Sequence, residues 1–177
     1  MTTKLKKLDL ATLSLRDALD LAALIEEEAR ERYEEFAHSM TLHRDLDAAK
    51  FFRFMVDVEG FHATVLQGRR QELFGDEPPQ VRREMIFDIE APEYHEVRFG
   101  MSLREALETS LGAEKKAWAF FDEALAAVTD PGVRELFEEL REDELKHQRL
   151  IEERIGKLPP DAPPDPMADF DDEPAPQ

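Results

Sequence analysis

A glutamate followed three residues later by a histidine occurs twice in this chain, as Glu59-x-x-His62 and Glu144-x-x-His147. On an α-helix that spacing puts both side chains on one face, where a carboxylate oxygen and an imidazole nitrogen can meet the same cation. Two further glutamates sit where apolar residues are expected. Glu26 interrupts the series Leu15, Leu19, Ala22, Ala29, Tyr33, Phe36, and Glu114 interrupts Leu107, Leu111, Trp118, Phe121, Leu125. The Glu-x-x-His pairs lie on equivalent stripes, one with Phe52, Met55 and Leu66, the other with Val133, Phe137, Leu140 and Ile151. By contrast, Glu27, Glu28, Glu31, Glu34 and Glu35 fall off the first stripe. Burying one unpaired carboxylate is expensive, and four facing each other would repel strongly. Two divalent cations cancel that charge, and the two imidazoles bind as neutral ligands. Oxygen-rich ligation with one imidazole per ion suits iron or manganese, with zinc able to compete. The expected cofactor is therefore a pair of metal ions, iron or manganese with zinc a possible substitute, held by Glu26, Glu59, His62, Glu114, Glu144 and His147.

A single Glu-x-x-His is weak support on so acidic a chain, so the internal register matters. Shifting the chain by 88 residues lays Ser14–Ala37 on Ser102–Leu125 with eight of 24 positions identical, and Glu26 then meets Glu114. Each half also places its Glu-x-x-His pair about thirty residues after its inward glutamate. One glutamate from each of two helices plus Glu-x-x-His from each of the other two is the pattern of di-metal carboxylate bundles. The duplication thus gives each copy half of a pseudo-twofold site.

Four helices must position these groups. The first is predicted from the N-cap Ser14 to about Phe36, and the second from near Asp45 to Phe74, where Gly75 and Pro78–Pro79 stop it. Ser102 and Glu105 form a capping box that opens the third, which runs to about Val128. Asp130–Pro131 starts the fourth, ending before Gly156 and Pro159. The short first and third connections make two antiparallel hairpins. Between them, the stretch from about Gly75 to Met101 is long and partly apolar, suited to crossing the length of a bundle. The expected fold is all-α, a ferritin-like four-helix bundle over residues 14–157, with a lead-in at 1–13 and an acidic, proline-rich tail at 158–177 read as disordered.

The balance of 23 basic to 41 acidic residues, a net charge of −18, argues against nucleic acid or an anionic membrane as partner. The opening MTTKLKKLDL lacks a signal peptide's apolar stretch and no run approaches a membrane span, so a cytoplasmic location is expected. With no cysteine, thiolate zinc sites, iron–sulfur clusters and a rubredoxin-type electron carrier are excluded within this sequence. His38, His43 and His95 fall near helix ends or in connections and are read as surface residues.

Residues 26–33, EEEARERY, resemble the first-helix signature of the rubrerythrin family within the ferritin-like di-iron superfamily, and Glu59–His62, Glu114 and Glu144–His147 match its other ligand positions. The resemblance implies that Glu59 and Glu144 bridge the metals while Glu26 with His62 and Glu114 with His147 are terminal ligands. It departs at Ala117, where rubrerythrins proper carry a further glutamate, and in lacking the rubredoxin domain. The six-ligand set is closer to bacterioferritin-type centres. In such proteins a tyrosine at the place of Tyr33 donates an electron; the alternative is a core tyrosine whose hydroxyl bonds a ligand carboxylate. The resemblance further implies a homodimer that oxidises Fe(II) with O₂ or H₂O₂, re-reduced by an external electron donor or by exchange with fresh Fe(II). Iron storage or handover, and a helical adaptor with a structural metal, are the alternatives.

Overall fold

The computed structural model describes residues 8–86, 89–98 and 100–159. The acidic stretch at 160–177 and the first seven residues of the lead-in lie outside the described residues. Four long helices carry the fold, α1 (Leu15–Leu42), α2 (Leu46–Phe74), α3 (Leu103–Leu125) and α4 (Pro131–Lys157), with no strand among the described residues. The chain forms the expected ferritin-like four-helix bundle, in which α1 packs closely along α2 and α3 along α4.

The caps fix where the helices begin. Ser14 Oγ accepts from the Asp17 amide at 3.2 Å, and Ser102 Oγ accepts likewise from Glu105. Only in the second copy does the acid reach back, Glu105 Oε2 accepting from the Ser102 amide at 2.8 Å. Asp17, one methylene shorter, instead takes Nε and Nη2 of Arg16. Asp130 Oδ1 caps α4 by accepting from Gly132 and Val133.

Helix ends differ from the sequence reading. α1 continues past Phe36 because Ala37 and Met40 are buried in the apolar cluster below the site, and it turns only at Arg44, whose φ is +65°. α3 stops at Leu125, short of Val128, while α4 runs through Gly156 to Lys157 and ends just before Pro159.

The crossing segment runs the length of the bundle. It leaves α2 beside Arg70, which donates to the Gly75 carbonyl at 2.7 Å and pairs with Asp20 of α1. Midway, Arg83 pairs with Glu28 at 3.0 Å, which explains why this off-stripe glutamate is buried. At the far end the Gly100 amide donates to Asp45 Oδ2 at 3.0 Å, so the Asp45 carboxylate anchors the crossing rather than capping α2. α3 therefore starts where α2 starts, and the two run in the same direction.

Two apolar clusters fill the interior. One gathers Leu19, Ala22, Leu66, Phe121, Phe137 and Leu140, the other Tyr33, Phe36, Phe52, Met55, Leu107 and Ile151. Along every helix the inward glutamate falls between them. The core is thus two greasy blocks separated by one polar layer, an arrangement that burial alone would disfavour unless the layer is neutralised.

Candidate metal centre

The six residues expected from the sequence converge in that layer. Glu26, Glu59 and His62 bring one donor atom each within 4.8 Å of one another, and Glu114, Glu144 and His147 do the same. His62 Nδ1 lies 3.5 Å from Glu26 Oε2 and 3.6 Å from Glu59 Oε2, while His147 Nδ1 lies 3.0 Å from Glu114 Oε2 and 3.9 Å from Glu144 Oε2. The two imidazoles stack, centroids 4.8 Å apart and planes 3° from parallel. This is the local twofold that the duplicated sequence implies. The four carboxylates are at most 3 % exposed, whereas the histidine side chains keep 25 % and 17 % of their surface. The layer is therefore most open on the side of the two histidines, which α2 and α4 carry.

A further carboxylate was not legible in the sequence. Glu90, from the crossing segment, is 1 % exposed and reaches both triads: one group joins Glu26, Glu90 and Glu144, another Glu59, Glu90 and Glu114. The signal available was faint, one of two acids, Asp88 and Glu90, set in an otherwise apolar stretch. Without a helical period, nothing in the sequence tells which way such an acid faces.

Six oxygens here, Glu26 Oε2, Glu59 Oε1 and Oε2, Glu90 Oε2, Glu114 Oε1 and Glu144 Oε2, are buried with no hydrogen-bond partner among the described residues. Each unmet acceptor costs about 1–3 kcal/mol, so a layer left this way is badly destabilising. The electrostatics agree. Burial first, then the charges of neighbouring glutamates, pushes the Glu59, Glu90 and Glu144 carboxyls well above the usual range, with the nearby His62 imidazole opposing at Glu59. At His62 burial pulls downward, but the nearby carboxylates of Glu26 and Glu59 prevail and push the imidazole up to about 10. Buried acceptors that lack donors, with imidazole nitrogens among them, fit a pair of divalent cations.

Tyr33 is fully buried one layer below, its ring stacked on Phe52 at 6.0 Å. Its hydroxyl bonds no ligand carboxylate; Tyr33 Oη and the neighbouring Ser110 Oγ are both without a partner of good geometry among the described residues. Burial, then the charges of Glu114 and Glu59, raises the phenol well above its usual range. On α3 the stripe is rotated slightly from the sequence reading, with Ser110, Ala113 and Ala117 fully inward and Leu111 and Trp118 only half-buried. Ala117 therefore faces the interior but offers no donor. His38, His43 and His95 are exposed, as expected.

The rubrerythrin family model matches residues 17–155, spanning all six residues and the crossing segment. The chain belongs to the rubrerythrin family. Among solved structures, an uncharacterized conserved protein from Magnetospirillum magnetotacticum is similar, with 28 % identity, a TM-score of 0.64, and coverage of 85 % of this chain and 99 % of that one. The bacterioferritin of Rhodobacter capsulatus, described with a metal-free dinuclear site and a heme iron, is similar at 26 % identity and a TM-score of 0.55, covering 80 % and 83 % of the two chains. No curated protein matches the chain. Membership of this rubrerythrin family implies iron as the metal, and the Glu/His groups of this chain suit a dinuclear site.

Proposed function

We propose that this rubrerythrin-family chain is a di-iron oxidoreductase that oxidises Fe(II) with H₂O₂ or O₂, serving peroxide or iron detoxification. The observation that carries the reading is the pair of Glu-Glu-His triads facing each other in a buried layer where six carboxylate oxygens have no donor among the described residues. When bound, an iron pair would deliver two electrons to the oxidant, so that one H₂O₂ and two protons yield two waters. Everything else falls to the chain's own side chains.

Glu26, Glu59 and His62 would hold one ion, and Glu114, Glu144 and His147 the other. His62 Nδ1 points at the carboxylates and holds a proton before loading, so binding must release that proton, together with those kept on buried carboxyls. The partly exposed edge of His62 gives it a route to solvent. The apolar blocks above and below exclude bulk water, which strengthens the attraction between carboxylates and higher-charged iron. Small neutral oxidants fit the approach from the histidine side. There, a hollow of about 150 Å³ lined by Phe54, Val58, His147, Leu150 and Arg154 leads from the surface. We propose that Tyr33, buried one layer away, supplies an electron to the centre.

Iron storage or handover is the second reading, favoured by the likeness to a bacterioferritin. The test is anaerobic loading with Fe(II) followed by stepwise H₂O₂. The proposal expects near-ultraviolet absorption to grow to an end point of about one H₂O₂ per two iron ions. No spectral change on peroxide would contradict it, and absorption that grows with many iron ions per chain would favour storage.

A further inference from the structure

We propose that Glu90, carried in by the crossing segment, is a fifth carboxylate donor shared by both halves of the centre, so that metal capture also fastens that segment to the bundle. The inference rests on the dinuclear reading and extends it to a residue outside the four helices.

Glu90 is 1 % exposed and its Oε2 has no partner among the described residues. It is the common member of two groups that cross the seam: with Glu26 and Glu144, and with Glu59 and Glu114. Each group takes one carboxylate from the α1/α2 hairpin and one from α3/α4. Glu90 therefore lies over the midline, within reach of donors from both triads.

The backbone that carries it is tied to both hairpins. Lys116 of α3 donates to the Ala91 carbonyl at 2.6 Å, and Arg32 of α1 donates to the Pro92 carbonyl while its guanidinium lies 3.6 Å over the Tyr94 ring. These bonds hold residues 90–92 on the α1/α3 side, across the bundle from the histidines. An acid placed there with no metal adds another like charge to a layer already short of donors, and it has no helix of its own to keep it in place. Cations reverse the balance. With five carboxylates against two divalent ions the layer keeps one surplus negative charge, which favours ions of higher charge over their divalent forms.

The test uses the full chain with Mn(II) as a redox-stable probe, free Mn(II) being read by electron paramagnetic resonance, alongside hydrogen exchange of the amides of residues 89–91. Glu90→Gln keeps the shape and removes the charge, and Glu90→Met removes the donor altogether. Losing even an outer partner of a metal ligand weakens binding 10–100-fold, so both variants are expected to bind Mn(II) at least about tenfold more weakly. In the wild type, Mn(II) should slow exchange at 89–91 more than at 81–86, and that difference should vanish in the variants. Wild-type affinity in both variants overturns the inference and leaves the dinuclear centre standing. If neither variant folds, the wild-type exchange decides: equal protection of the two stretches overturns it. A wild type that binds no Mn(II), Fe(II) or Zn(II) withdraws the centre and this inference together.

Discussion

His62 and His147 stack face to face at 4.8 Å while their Nδ1 atoms turn toward different carboxylates, so one residue type does the same task twice. That symmetry was readable because a helix converts spacing into direction: an acid on an apolar stripe must point inward. Glu90 was not readable, since three consecutive buried residues of an irregular segment, Ile89 to Ala91, follow no period. The titration of these groups fixes a pH dependence. Glu59, Glu90 and Glu144 have folded values raised above the ordinary 4.5, and His62 is raised from 6.5 to about 10. A raised folded value means that the native state holds protons more tightly than the unfolded chain, so the stability it contributes is complete below the ordinary value and is lost as pH rises through the folded one. Metal-free protein should therefore melt at lower temperature as pH rises from about 5 to 9, and Glu59→Gln or Glu144→Gln should flatten that slope. Thermal scans across pH check this; a melting temperature that climbs with pH in the metal-free chain would contradict it. At Tyr33 the buried hydroxyl lacks a partner among the described residues, so Tyr33→Phe should leave metal content unchanged and alter stability by less than about 1 kcal/mol. If Tyr33 supplies an electron, the same variant should lose any radical signal that peroxide produces in the iron-loaded wild type.

At the scale of elements, helix starts were legible and helix ends were not. Ser14, Ser102 and Asp130 announce themselves because a short polar side chain is the cheapest donor-satisfier for the first turn. Ends depend on what lies beneath them: Ala37 and Met40 prolong α1 because they find a cluster to enter, and a glycine at 156 does not halt α4. The caps are also unequal. Ser102 closes a reciprocal pair with Glu105, whereas the corresponding acid after Ser14 is turned aside by Arg16. Ser102→Ala should cost about 1–2 kcal/mol and Ser14→Ala less, as measured by chemical denaturation of the metal-free chain. Equal losses would mean that the reciprocal bond contributes nothing. The path of the crossing segment was expected, but its anchors, Arg70, Arg83 on Glu28, and Asp45, are long-range pairings that no local pattern encodes.

For the whole molecule, the duplicated halves explain a core divided into two apolar blocks with one charged layer between them. Such a design folds only marginally without its counter-ions, and a ligand that binds the native state alone raises stability by mass action, about 4 kcal/mol at a thousandfold excess over Kd. None of the described helices is long and apolar enough to cross a membrane. α2 leaves Leu46, Phe61, Val65 and Leu73 more than half exposed, apolar surface that the homodimer expected from the family resemblance would cover. Size-exclusion chromatography with light scattering should give twice the chain mass of 20.4 kDa, and a shell of many copies would move the reading to storage. Most direct of all is the iron retained per chain after anaerobic Fe(II) loading and desalting, in wild type, Glu59→Ala and Glu144→Ala. The account predicts about two ions in the wild type, one for each triad, and fewer than half as many in either folded variant. Iron absent from the wild type, or retained in full by both variants, would contradict it.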